Sequence, residues 1–235
     1  MSERRGTTGS GETPLRILVV SDEVVSLLFG PRLPNFVGPV DVLLSCGDLP
    51  YTYLEFLVTQ LHVADAFYVH GNHDKPTECS NGRTLDAPGG WVNVDQRAVK
   101  AQYADLLVAG LEGSIRYKPN APYQYTQTQM RIRVQRLIVQ LLFNRAFYGR
   151  YLDIFIAHSP PAGIHDEPDG PHEGFQVFRQ LMRWFRPRLF LHGHLHRYGS
   201  MPWRTQYRRT EVTNVYPFRV LDLFKDHVTY ERVYI

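Results

Sequence analysis

The stretch 41-DVLLSCGDLPYTYLEFLVTQLHVADAFYVHGNHD-74 decides the fold. It opens with an apolar run that stops at Gly47-Asp48 and closes with another that stops at Gly71-Asn72-His73-Asp74. Between the two, after Pro50, the apolar residues Leu54, Phe56, Leu57 and Leu61 recur at near-helical spacing. Strand, helix and strand with short connections form a βαβ unit, and hence part of a parallel sheet. The same shape repeats outward from it. Upstream lies 15-LRILVVSD-22; downstream, 97-RAVKA-101, 104-ADLLVAGL-111, 152-LDIFIAHSPP-161 and 188-RLFLHGHLH-196 read as further strands. Apolar residues at intervals of three and four, among them Met130, Ile132, Val134, Leu137, Ile138, Leu141 and Leu142, predict one amphipathic helix over 127–147, and 174–185 has helical periodicity too. Residues 211–235 alternate like antiparallel strands. The expected fold is therefore α/β.

Composition bounds the function. With 235 residues, 43% of them hydrophobic, the chain buries a full core. The reading is one domain over 15–235, preceded by a Gly-, Ser- and Thr-rich tail over 1–14 that lacks the apolar segment of a signal peptide and is expected to be disordered. A net charge of +3 spread over 26 basic and 23 acidic residues, without an aromatic-interleaved basic block, argues against a long nucleic-acid groove. Cys46 and Cys79 do not resemble a disulfide framework or a paired zinc motif. No apolar run reaches the eighteen residues that crossing a membrane requires. A cytoplasmic location with no membrane partner is the expectation.

Five apolar runs end in residues that bind metals: Asp22, Asp48, Asn72, His158, and the pair His194 and His196. Any one alone is ordinary, since a strand-end Asp caps a helix and a buried His is commonly a satisfied core residue. In an α/β sheet, however, ligands gather outside the carboxyl ends of the strands, and five such ends in one chain define one site. Mixed Asn, Asp and His ligation suits manganese, iron or zinc better than calcium.

The ordered set 47-GD-48, 71-GNHD-74, 157-AHSPP-161 and 193-GHLH-196, preceded by the strand-end Asp22, resembles the calcineurin-like metallophosphoesterase superfamily. The likeness runs from about Leu15 to Asn214. It implies a sandwich of two mixed β-sheets flanked by α-helices, with two metal ions at the strand ends. It also implies roles: Asp48 bridges both ions, Asp22 and His196 complete one site, and Asn72, His158 and His194 complete the other. His73 would stand near the substrate phosphate and leaving group, with Asp74 orienting its ring. The implied activity is hydrolysis of a phosphomonoester or phosphodiester, a small phosphorylated substrate, by metal-bound hydroxide at a dinuclear centre.

One position departs from the pattern. Family members usually carry Asp-x-His at the first strand end, whereas this chain has Asp22-Glu23-Val24. Because successive strand side chains point to opposite faces, Glu23 should point away from Asp22, so a first site of Asp22, Asp48, His196 and water is favoured over direct replacement. A site short of one ligand binds its metal more loosely. The rival reading is a phosphate-binding or scaffold protein that kept one metal and lost turnover. Arg116 and Tyr117, after a predicted strand, and His165, in the polar loop 164-IHDEPDGPH-172, are candidate substrate contacts, because such loops sit where a substrate approaches. His70 and His192 each precede a motif glycine and read as supporting or packing residues.

Overall fold

A computed structural model describes residues 13–79, 82–196 and 202–231. Residues 1–12 of the expected tail and the last four residues of the 211–235 segment lie outside them.

The βαβ unit is present: β2 (Val42–Ser45) leads through α2 (Tyr51–Leu61) to β3 (Asp65–Tyr68), which pairs with β2 in parallel. β1 (Leu15–Val20) joins β2 in parallel on the other side, and β6 (Val92–Asn93) extends β3. β15 (Phe218–Leu223) and β16 (Val228–Tyr230) add antiparallel strands beyond β1, giving a six-stranded mixed sheet of order β16-β15-β1-β2-β3-β6.

A second six-stranded mixed sheet contains β7 (Ala98–Lys100), β8 (Leu107–Leu111), β11 (Ile154–Ala157), β12 (Leu189–His192), β13 (Arg204–Tyr207) and β14 (Thr210–Asn214), in the order β13-β14-β12-β11-β8-β7. Two short pairs complete the strands: β4 (Thr77–Glu78) with β5 (Thr84–Leu85), and β9 (Ser114–Ile115) with β10 (Gln124–Tyr125). The expected antiparallel tail holds for β15 and β16, while β14 lies parallel to β12 and hydrogen-bonds antiparallel only to β13. The reason is topological. After β14 the chain leaves the second sheet and enters the first as β15.

Strand periodicity sorts the side chains into layers. Ile17 and Val19 pack with Ile154, Ile156, Leu189 and Leu191 in the core between the sheets. Leu18 and Val20 face the opposite way, into a cluster with α1 (Leu33–Val37) and α2. Across the molecule, Phe155 and Phe190 turn toward α3 (Gln127–Tyr148) and α4 (Gln176–Phe185). Both faces of each sheet are covered, which is why the central strands read as unbroken apolar runs. The fold is the expected sandwich of two mixed sheets flanked by helices.

α3 begins at a capping box, in which Thr126 accepts from the Gln129 amide and the Gln129 side chain returns to the Thr126 amide, and it stops at Gly149 at φ 74°. Its buried stripe is Met130, Val134, Leu137 and Leu141. Ile132 and Leu142, grouped with these by spacing, face solvent.

One buried carboxylate ties the layers together. Asp65, at the start of β3, accepts from the amides of Gln102, Tyr103 and Ala104 at 2.7, 2.9 and 2.9 Å. Asp65→Ala is expected to cost about 3 kcal/mol in urea unfolding, because hydrogen bonds to a charged group are the strong ones. A loss below about 1 kcal/mol would show that water replaces the carboxylate freely.

Candidate metal centre

The strand ends are stitched together by backbone bonds. The Asp22 amide donates to the Gly47 carbonyl at 3.1 Å, joining the ends of β1 and β2, and the Gly193 amide donates to the His158 carbonyl at 3.1 Å, joining β12 and β11. The two sheets then meet: the His194 amide lies 3.1 and 3.0 Å from the carboxylate oxygens of Asp22. Asp22, Asp48 and His194 all adopt left-handed backbone, at φ 68°, 59° and 68°. Such conformations gather at functional sites because the surrounding structure must hold them there. Gly193 is required beside them, since a Cβ there would overlap Ser21 Oγ and Asp22 Oδ2.

The chemistry of the donor set fits a cation. His158 is wholly buried, and its Nδ1 lies 2.8 Å from the Cys46 carbonyl, so Nδ1–H donates there and Nε2 carries the lone pair. His194 is set the opposite way, with Nε2–H donating to the Pro171 carbonyl at 2.9 Å and Nδ1 left as acceptor. Those two free nitrogens are 3.0 Å apart. Asn72 Oδ1 stands 2.9 Å and Asp48 Oδ2 3.3 Å from His158 Nε2, while Asn72 Nδ2 donates to the Tyr117 hydroxyl at 3.1 Å and so turns its oxygen inward. Three acceptor atoms, on His194, Asn72 and Asp48, thus crowd within 3.3 Å of His158 Nε2, an arrangement that a positive charge resolves.

The electrostatics agree. Burial alone would raise the Asp48 carboxyl, but His158 and the His73 amide more than offset it and hold the pKa down at about 2. Burial disfavours charging His158, yet Asp48 and Asp22 win and lift it to about 9, so the carboxylates draw in a cation even as a proton. Burial and the adjacent His158 keep His194 neutral, lowered to about 3. A metal takes the place of such protons when it binds.

The other expected set adjoins this one. Asp22, Asp48 and His158 present ligand atoms within 4.8 Å of one another, and His196 lines the same cavity from an exposed position. The His196 ring is stacked on Tyr216, with centroids 4.4 Å apart and planes at 16°. The Tyr216 hydroxyl in turn donates to Glu23 at 2.6 Å. Glu23 is therefore engaged on the outside of the site, not by strand alternation, since β1 ends at Val20 and Asp22 turns the backbone at φ 68°, and Val24 packs against the α1–α2 core.

The remaining expected residues divide. His73 is exposed at the mouth, and its amide donates to Asp48 Oδ1 at 2.8 Å. Asp74, expected to orient the His73 ring, has both oxygens taken up by the backbone: Oδ2 accepts from Gly71 at 2.7 Å and Asp48 at 3.0 Å, and Oδ1 from Leu49 at 3.1 Å. It locks the two ligand loops to each other. Tyr117 touches the site only through Asn72. Arg116 points elsewhere, to the Gln124 carbonyl and the Gln129 side chain, both at 3.1 Å. His165 is buried between His192 and Thr205, at 3.0 and 2.8 Å, and does not line the cavity. His192 is wholly buried, and burial followed by His165 holds it far below its usual pKa; it is a packing residue, as is His70, which is bonded to Glu112 at 2.8 Å.

A cavity of about 500 Å³ opens over Asp22, Asp48, His73, His194 and His196. Glu167 and His172 wall it from the loop that follows the His158 strand end. Glu167 was not singled out from the sequence; the signal available was its place in a loop at the carboxyl end of a parallel strand.

Comparison with known proteins supplies the family. A protein of Haemophilus influenzae, described only as uncharacterized, is 28% identical over 183 residues, covering 74% of this chain and 79% of its own length. The crystal structure of TT1561 from Thermus thermophilus superposes with a TM-score of 0.60 at 18% identity, covering 93% of this chain and 99% of that one. GAP50, the anchor in the inner membrane complex of Plasmodium, superposes with a TM-score of 0.50 at 11% identity, covering 94% and 84%. These two share the fold. The sequence profile of the calcineurin-like phosphoesterases matches residues 16–198, the span that carries every candidate ligand described above. The chain belongs to the calcineurin-like phosphoesterase family of metal-dependent phosphoesterases.

Proposed function

We propose that the protein hydrolyses a phosphate ester at a two-ion centre, in which Asn72, His158, His194 and Asp48 hold one divalent ion and Asp48, Asp22 and His196 hold the other more weakly. The observation that carries the reading is the crowding of His194 Nδ1, Asn72 Oδ1 and Asp48 Oδ2 within 3.3 Å of His158 Nε2, with Asp22 beside them. When bound, manganese, iron or zinc ions would supply an activated nucleophile and electrophilic stabilisation of the phosphoryl oxygens.

The chain's own residues supply the rest. The carbonyls of Cys46 and Pro171 fix the tautomers of His158 and His194, so the ligand nitrogens are set in advance. Asp74 clamps the Asp48 and Gly71 loops, keeping the bridging carboxylate in place. His73 faces the open cavity, where an imidazole nitrogen can pass a proton to the departing alkoxide oxygen.

Calorimetric titration with manganese, paired with assays on an aryl phosphate ester, tests the reading. One tight and one weaker equivalent with metal-stimulated hydrolysis are expected. A single equivalent with no turnover would instead favour a phosphate-binding or scaffold role.

The part played by His73 has its own test. His73→Ala is expected to lower kcat/KM by roughly 10²-fold for an alkyl ester and far less for a nitrophenyl ester, whose leaving group needs no proton. Equal losses on both would mean that His73 binds phosphate and transfers no proton.

A further inference from the structure

α3 carries two apolar stripes. The first, Met130, Val134, Leu137 and Leu141, packs on the outer face of the second sheet. On the opposite side Val139, Leu142, Phe143, Ala146 and Phe147 follow at i, i+3, i+4, i+7 and i+8, the spacing by which a helix buries a face. Here that face meets solvent: Val139 is 57% exposed, Leu142 53%, Phe143 58% and Phe147 75%. The stripe is continuous, with the Phe143 and Phe147 rings stacked at 6.3 Å between centroids. More exposed large hydrophobics lie on this helix than on the rest of the described chain together. A helix that is apolar on both sides is a buried helix.

Composition and size say what covers it. α3 has arginines but no lysine, aspartate or glutamate, and protein interfaces likewise gather aromatic side chains and arginine and shed the other charges. A helix lying on a bilayer needs a strongly charged face beside its apolar one. Between Val139 and Phe147 the one charge is Arg145, and its guanidinium is turned over the Tyr151 ring at 5.8 Å. At roughly 150–200 Å² for a fully exposed large side chain, the four exposed fractions amount to about 400 Å² of apolar surface. A two-fold axis doubles that area, and the residues flanking the stripe bring it to the ~1,000 Å² of a specific interface.

The stripe also complements itself. Val139 and Ala146 are small where Phe143 and Phe147 are large, so an antiparallel copy sets Phe147 of one chain against Val139 of the other. Arg136, about one turn before Val139, stands seven residues from an axis at Phe143. The two copies of Arg136 are then about 20 Å apart, well beyond the screening length of about 8 Å.

We propose that this face is an interface between two copies of the chain, in which the C-terminal halves of two α3 helices pack antiparallel about Phe143. Such a dimer leaves both metal cavities open. α3 starts at the ligand end, where the Gln127 side chain donates to the Gly174 carbonyl, and its second half runs to the other end of the strands, where Asn144 donates to the Tyr151 carbonyl ahead of β11.

Sedimentation velocity on the full chain over a dilution series tests the proposal. A reversible species of twice 27.2 kDa is expected, with a Kd on the order of 10 µM for so small an interface. Phe143→Arg should raise the Kd by about 30-fold or more, the effect of losing an interface anchor. Phe147→Arg, at the most exposed position of the stripe, should do the same and gives a second reading should Phe143→Arg fail to fold. Tyr103→Arg is the matched control: Tyr103 is 74% exposed, but its amide is bonded to Asp65 of the first sheet, away from α3. It should leave the Kd at the parental value, and all three variants should keep the parental metal stoichiometry. A monomer throughout the series, a Kd unchanged in Phe143→Arg and Phe147→Arg, or an equal loss in Tyr103→Arg would overturn the proposal. So would a monomer that cosediments with phosphatidylglycerol vesicles and loses them in Phe147→Arg, which would assign the face to a lipid surface.

Discussion

Asp48→Asn is expected to lower phosphate-ester hydrolysis by about 10³-fold or more and to abolish binding of the second equivalent of metal. The scale follows from asking one carboxylate to hold both ions. Metal stabilisation of transition-state charge amounts to several kcal/mol, and each 1.36 kcal/mol is tenfold in rate. The substitution isolates that charge. Asparagine has the same shape, tolerates the left-handed backbone at φ 59° and can still accept the His73 amide. What it loses is the negative charge, which His158 and the His73 amide stabilise to a pKa of about 2 and which helps lift His158 to about 9. Calorimetry with manganese, an ester assay and a thermal melt on the same preparation check it. A variant that melts like the parent, binds both ions and turns over at the parental rate would remove Asp48 from the centre altogether.

Much of this was legible in the sequence, for physical reasons. A strand covered on both faces must be apolar throughout, so LRILVV, DVLLSC and LDIFIA announce themselves, and a polar residue at the end of such a run is conspicuous. The candidate ligands were equally conspicuous, because few side chains bind metal and these stand at the carboxyl ends of the strands. What stayed hidden was everything done by the backbone. The carbonyls of Cys46 and Pro171 that set the histidine tautomers have no side-chain signature, and neither do the amides that occupy Asp74. The course of Arg116 was not legible because a strand-end loop can turn either way, and here β9 and β10 pair beside it and hold its guanidinium on the Gln124 carbonyl. Within α3, spacing identified the helix but not its buried side; Ile132 and Leu142 fit an apolar period and still point outward. The partner of Glu23 lay 193 positions away at Tyr216, a distance at which no local pattern speaks.

Gly71→Ala should damage the centre almost as severely, by displacing a ligand rather than removing one. A Cβ at position 71 would overlap Asp48 Oδ1 and press on the Asp48 amide. That carboxylate cannot simply swing aside, since Oδ1 accepts the His73 amide at 2.8 Å and the Asp48 amide is tied to Asp74 at 3.0 Å. Relief requires the β2 and β3 end loops to part, which carries Asp48 away from His158 and Asn72 together. A misplacement of about 1 Å costs on the order of 10²-fold in rate, and both metal equivalents should weaken. Stability should fall by about 1–3 kcal/mol, the range for overpacking a tight site. Gly30→Ala is the matched control, because a Cβ there meets nothing within 4 Å. Parental metal binding and activity in Gly71→Ala would show that the two loops give way freely, and that the Asp74 clamp does not set the position of Asp48.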